Sequence, residues 1–137
     1  MSVPQSQRPE HILQLHVKAR NHAAYVIQIT KNPKVFDPAY ATAITDKMIK
    51  LAIDIFTNLW SANNVLVKDS LSYKMRHEYQ EYACLECNNL LAMIDIAYKL
   101  FHLTSSRVKF WSGWVIDIRN GARAWIQSDA KRYEEYR

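Results

Sequence analysis

Cys84-Leu85-Glu86-Cys87 comes closest, of all patterns in this chain, to a spacing that does chemistry. A dithiol of this form is a redox centre when it opens a helix beside a sheet edge, where the helix N-terminus favours the thiolate. Here apolar residues recur every three or four positions on both sides of it, so it falls inside a helix with no strand nearby. Structural zinc would need two more ligands, and neither a second C-x-x-C nor an H-x-x-x-H follows. Free cysteine is among the most buried residue types, so the pair reads as small side chains packed in a core. His11, His16, His22, His77 and His102 are scattered, and His77-Glu78 has no second histidine at the spacing of a helical zinc site. No Glu-x-x-His pair of a di-iron bundle, no glycine-rich phosphate loop and no G-x-S-x-G occurs. Glu78 and Glu81 read as a solvated face. The expectation is a chain with no catalytic residues, no metal site and no cofactor, which works by binding; the opposing reading is a bundle enzyme with a metal on Cys84, Cys87 or the histidines.

The cations are the more suggestive set. Eighteen Lys and Arg stand against thirteen acids, a formal +5. Arg119 and Arg123 are four apart and so share a helix face distinct from that of the apolar stripe beside them. Lys109 is placed near the same line, and Arg107 with Lys109 flanks the start of that helix. Lys18 and Arg20, Lys47 and Lys50, Lys31 and Lys34, and Lys74 and Arg76 mark the other segments. Two readings stand side by side. With Asp46, Asp54, Asp95 and Asp117 interspersed, the cations are ordinary solvated charges; alternatively, Arg119, Arg123, Lys109, Arg107, Lys18, Arg20, Lys47 and Lys50 contact phosphates, each contact releasing a counterion and making binding salt-dependent. Four Trp are many for one core, because each indole N–H needs a partner. Trp111 and Trp125 are expected in the core, and Trp114 and Trp60 at an interface with another subunit or partner.

These residues need elements to hold them. Two Gly and four Pro in 137 residues leave little material for the turns of a sheet. A first helix is predicted from Pro9 to Lys31, stopped by Asn32-Pro33. A second begins at Asp37-Pro38, as N-cap and first helical residue, and fades at Asn63-Asn64. A third runs from Asp69 or Ser70 to Leu103, and a fourth from Arg107 to Tyr133, with Trp111, Val115, Ile118, Ala122 and Trp125 on one face. Gly121 lies inside the fourth, where it lets a neighbouring helix come close. Four long helices with short links predict an all-α, up-down-up-down four-helix bundle in one domain, residues 1–137, with residues 1–7 and 134–137 loose. No apolar leader opens the chain and no apolar run is long enough to span a bilayer, so the expectation is a cytoplasmic protein without a membrane partner.

The closing segments Lys109-Phe110-Trp111-Ser112, Val115 to Asn120, and Ala124-Trp125-Ile126-Gln127-Ser128-Asp129-Ala130-Lys131-Arg132-Tyr133 form a further pattern. With Ile49 to Asn64, and with Arg76 to Leu103 carrying Tyr79-Gln80-Glu81-Tyr82-Ala83, Cys84 and Leu90-Leu91, they resemble the accessory variability determinant (Avd) proteins of diversity-generating retroelements. The likeness spans His11 to Tyr133. It extends to the wider group of four-helix proteins that includes the ribosomal-RNA intervening-sequence proteins. The resemblance implies a bundle assembled as a barrel-shaped homopentamer, with binding to the element's reverse transcriptase and, through a basic surface, to its template RNA. The implied role is support of mutagenic cDNA synthesis, with all catalysis left to the reverse transcriptase. The alternative it leaves open is an intervening-sequence type bundle, a structural or RNA-interaction protein with no reverse transcriptase partner.

Overall fold

The computed structural model describes residues 10–137, which form four α-helices. They are α1 (Glu10–Thr30), α2 (Asp46–Asn64), α3 (Ser70–Phe101) and α4 (Ser105–Arg132). Among the described residues there is no strand. Each helix packs on its neighbours in a closed circuit, α1 on α2 and α4, and α3 on α2 and α4, with α1 opposite α3. This is the up-down-up-down arrangement that short connections impose on amphipathic helices. Pro9, expected as the first helical residue, and residues 1–7, expected to be loose, lie outside the described residues.

Local chemistry fixes the helix ends. Asp69 caps α3 through Ser72 N at 2.8 Å while Ser72 Oγ takes the Asp69 N–H, a reciprocal box. Thr104 caps α4 through Arg107 N, which starts the helix two residues before Arg107. At its far end α3 stops on His102, held at φ 54°, the left-handed conformation that closes helices. Asp37 does cap the turn after it, accepting from Ala39 N at 2.9 Å. The second helix differs from the sequence expectation, however. Pro38–Tyr40 is a 3-10 turn and Ala41–Thr45 a π turn, and regular α geometry begins only at Asp46. The wide π turn resets the helical phase. Ile44 and its neighbour Thr45 both face inward, while Tyr40, in the turn before them, is exposed. At the C-terminus, where the sequence predicts a loose end, Glu134–Tyr136 form a 3-10 turn and Arg137 Nη1 donates to Ala130 O at 3.2 Å.

The core is continuous from end to end and its two ends differ in kind. One end is aromatic: Phe36 from the first connection packs on Phe101, centroids 5.0 Å apart, and on Trp111. The other is polar. Arg76 on α3 makes a two-pronged pair with Asp129 on α4, Nε to Oδ2 at 2.6 Å and Nη2 to Oδ1 at 3.0 Å, and Gln80 Nε2 adds a third bond to Oδ2 at 2.8 Å. The guanidinium also lies 4.9 Å from the Trp125 ring centroid and 5.6 Å from that of Tyr133. Arg76 thus belongs to the interior, not to the set of surface cations among which its type had placed it. Between α1 and α2, the His16 ring stands between Ile12 O at 2.8 Å and Leu59 O at 3.0 Å.

Gly121 does what its position suggests: a Cβ there would meet Leu15 Cδ1 of α1 at 2.9 Å. Gly113, also inside α4, has nothing within 4 Å of that position. Gly113→Ala should therefore raise stability by about 0.5–1 kcal/mol, the helix preference of alanine over glycine. Gly121→Ala should gain less or lose, because Leu15 must turn aside in a packed seam. Urea unfolding of the two variants side by side measures the difference.

Candidate nucleic-acid interface

At the α1–α4 seam three rings form one cluster. Trp114 lies 5.2 Å from Tyr25 and 5.7 Å from Phe110, and Tyr25 lies 5.7 Å from Phe110, centroid to centroid. Trp114 is half-buried and its indole N–H donates to Lys18 O at 3.2 Å, so the side expected to meet a partner is largely engaged within the chain. Phe110 is 59% exposed. Together with Leu13, Val17, Lys18 and Trp114 it lines an open groove of about 710 Å³, with Glu10, Gln14 and Asn21 at its polar margin. Arg107 reaches Tyr25: burial pushes the phenol's pKa up, and the guanidinium pulls it part of the way back. Lys109, next to Phe110, is exposed.

Arg119 and Arg123 belong to a different seam, between α4 and α3. Arg119 is half-buried and Nη1 donates to Asn88 Oδ1 at 2.9 Å. Arg123 is exposed beside a shallow depression of about 340 Å³ that includes Glu81, Cys84 and Asn88. By the pitch of an α-helix Lys109 stands about 40° around α4 from Arg123 and about 80° from Arg119. On α2, Lys50 pairs with Asp54 one turn away, and its pKa is raised by that hydrogen bond and charge. Lys47 is exposed, while Arg20 donates from Nε and Nη2 to Asn21 Oδ1 at 3.2 Å. The eight cations singled out by type and spacing therefore fall into separate groups: Lys18 and Arg107 beside the aromatic cluster, Lys109, Arg119 and Arg123 on the side of α4 turned away from it, Lys47 and Lys50 on α2, and Arg20 on α1. Among the described residues, Lys18, Lys47, Lys109 and Arg123 make no ion pair.

Trp60 is 58% exposed, its ring 6.0 Å from that of Phe56 on the same helix, centroid to centroid. A second apolar surface went unread in the sequence. Leu71, Met75, Tyr82, Leu85, Ala92 and Ile96 of α3 are all exposed, and with Glu78 and Asn89 they repeat at alternating spacings of four and three along the helix. That is the repeat of a coiled-coil seam, and it lies about half a turn from the face on which α3 buries Cys87, Leu90, Ile94 and Ala97. The signal was present in the sequence, but two apolar stripes on one helix blur each other's period.

Cys84 and Cys87 are free and buried. Burial pushes the Cys87 thiol up to about 12 and raises that of Cys84 in the same direction. Neither offers a thiolate at neutral pH, as packing residues would not. Among the described residues, no three His, Cys, Asp or Glu side chains gather as metal ligands, and no helix is long and apolar enough to cross a membrane. Comparison with protein-family models, with curated proteins and with solved structures finds no match for this chain.

Proposed function

We propose that this chain is a non-catalytic accessory subunit of the Avd type, which binds template RNA and the reverse transcriptase of a diversity-generating retroelement in support of mutagenic cDNA synthesis. The observation that carries the reading is the surface placement of cations without ion-pair partners among the described residues, Lys18 on α1, Lys47 on α2 and Lys109 and Arg123 on α4. A polyanion that wraps the bundle can touch such dispersed charges in turn, where a small anionic substrate could not. The α3 outer stripe supports self-association, for which a homopentamer is the proposed form. A ring repeats each weak patch, and linked weak contacts act together.

The same stripe, which needs only another copy of the chain, suits an intervening-sequence type bundle as well; binding to the reverse transcriptase distinguishes the two. Native mass measurement gives the copy number. Titrating a structured template RNA at low and at physiological salt tests the phosphate contacts: affinity should fall steeply with salt, and an unchanged affinity counts against the reading. Replacing Arg119 and Arg123 together by Glu should weaken RNA binding roughly tenfold while the helical circular dichroism stays as it is. Arg123→Glu alone, at an exposed position, keeps the test valid should the loss of the Arg119–Asn88 bond disturb the α3–α4 seam.

A further inference from the structure

We infer that the outer stripe of α3 is the contact surface for α3 of a second copy of this chain, the two helices antiparallel, with Glu78 of each set against Asn89 of the other. The inference rests on the self-association reading of this face and adds to it a direction and a register.

Leu71, Met75, Tyr82, Leu85 and Ile96 are large apolar side chains that the bundle leaves in water, all on one side of one helix. Leu71, 69% exposed, is the most exposed large apolar side chain among the described residues. Their alternating spacing lets two helices lie along each other with each knob in a hole of its neighbour. Spacing alone admits many partners; the residues at the eight positions select one. Set a two-fold axis level with the midpoint between Ala83 and Cys84, and run the second helix the opposite way. Leu71 then meets Ile96, Met75 meets the small Ala92, and Tyr82 meets Leu85. The two polar members, Glu78 and Asn89, fall opposite each other, and the amide donates to the carboxylate at both ends of the contact. A shift of one repeat in either direction sets Glu78 against Ile96 or Tyr82, and Asn89 against Leu85 or Leu71.

The flanking residues choose the same pairing. Along the border with α4, where Asn88 meets Arg119 and Glu81 lies near Arg123, Lys74 of one copy comes beside Asp95 of the other and Glu81 beside Asn88. Along the border with α2, where Glu86 meets Asn58, Tyr79 comes beside Glu86 and Ser72 beside Met93. His77 is turned to Glu81 of its own helix, and Lys99 falls past the end of the opposing helix. A parallel pair in register would instead face Glu78 with Glu78 and stand Glu81 beside Glu86 on both flanks. A surface that is its own complement is what a two-fold contact between identical chains requires, and such a contact closes at two copies. A ring of five is then closed through other faces, and α3 joins one ring to another.

The test mixes two single variants of the full chain, Glu78→Cys and Asn89→Cys, and adds a short thiol cross-linker; Cys84 and Cys87 are buried and stay out of the reaction. The mixed product should form roughly tenfold faster than the product of either variant with itself, because in the antiparallel pair the two Glu78 positions lie about 16 Å apart along the axis. Leu85→Glu, near the centre of the contact, should halve the copy number in native mass measurement and leave the helical circular dichroism unchanged. Faster joining of Glu78→Cys to itself, equal rates in the three mixtures, an odd copy number in the parent chain, or a Leu85→Glu variant with the parent's copy number overturns the pairing while self-association through another arrangement stands. A parent chain that remains single at the highest concentration reached overturns both.

Discussion

Asp129→Ala is expected to lower stability by about 3–5 kcal/mol, a large part of what holds a domain of this size together. The carboxylate receives three hydrogen bonds, two from Arg76 and one from Gln80, and all three residues are buried. Removing it leaves a guanidinium in the interior with only the faces of Trp125 and Tyr133 for company. Most of the cost is that stranded charge, not the net value of the pair. The double variant Arg76→Met with Asp129→Leu should therefore recover most of the loss, since apolar side chains of similar volume replace buried ion pairs at little cost. Urea unfolding of the single and double variants separates the two contributions. A single variant within 1 kcal/mol of the parent would mean that the pair carries no buried charge.

The second large effect is with pH. His22 is fully buried and accepts from Trp111 Nε1 at 3.1 Å through Nε2, so its neutral form is the one that fits. Protonation would set two N–H groups against each other. Burial lowers the pKa from 6.5 to about 4. The unfolded chain therefore binds the proton first on acidification. The native state keeps its full stability above pH 6.5 and loses it as the pH falls towards 4, by about 3 kcal/mol in all at that point. Urea midpoints measured between pH 7 and pH 4 should fall accordingly, and in His22→Met the decline should be shallower by that amount. Equal slopes in the two proteins would place the acid sensitivity elsewhere.

What could be read in advance was local. The helix stripes, the Asp37 cap and the turn at Asn32-Pro33 all depend on residues a few positions apart, and one period or one turn residue encodes each. The burial of Trp111 and Trp125 followed from the same stripe. What could not be read depends on partners far along the chain. Asp129 looks like any surface acid until α3 and α4 pack, because Arg76 is 53 residues away. Trp114 looked free for the same reason, its acceptor being the Lys18 carbonyl on another helix. The π turn was hidden because it alters spacing by a single residue in a segment that still reads as helical. For the cations, spacing along one helix gave which residues share a face but not which face another helix covers. Arg119 and Arg123, paired by spacing, both border the α3–α4 seam.

Glu78 and Asn89 interrupt the greasy outer ridge of α3 at two places. The ridge is therefore a row of apolar islands instead of an unbroken strip. In the self-association proposed for this face, the carboxylate and the amide would each need a polar counterpart across the contact, and a slide by one turn would set them against hydrocarbon. Two polar interruptions would thus favour one alignment over its neighbours.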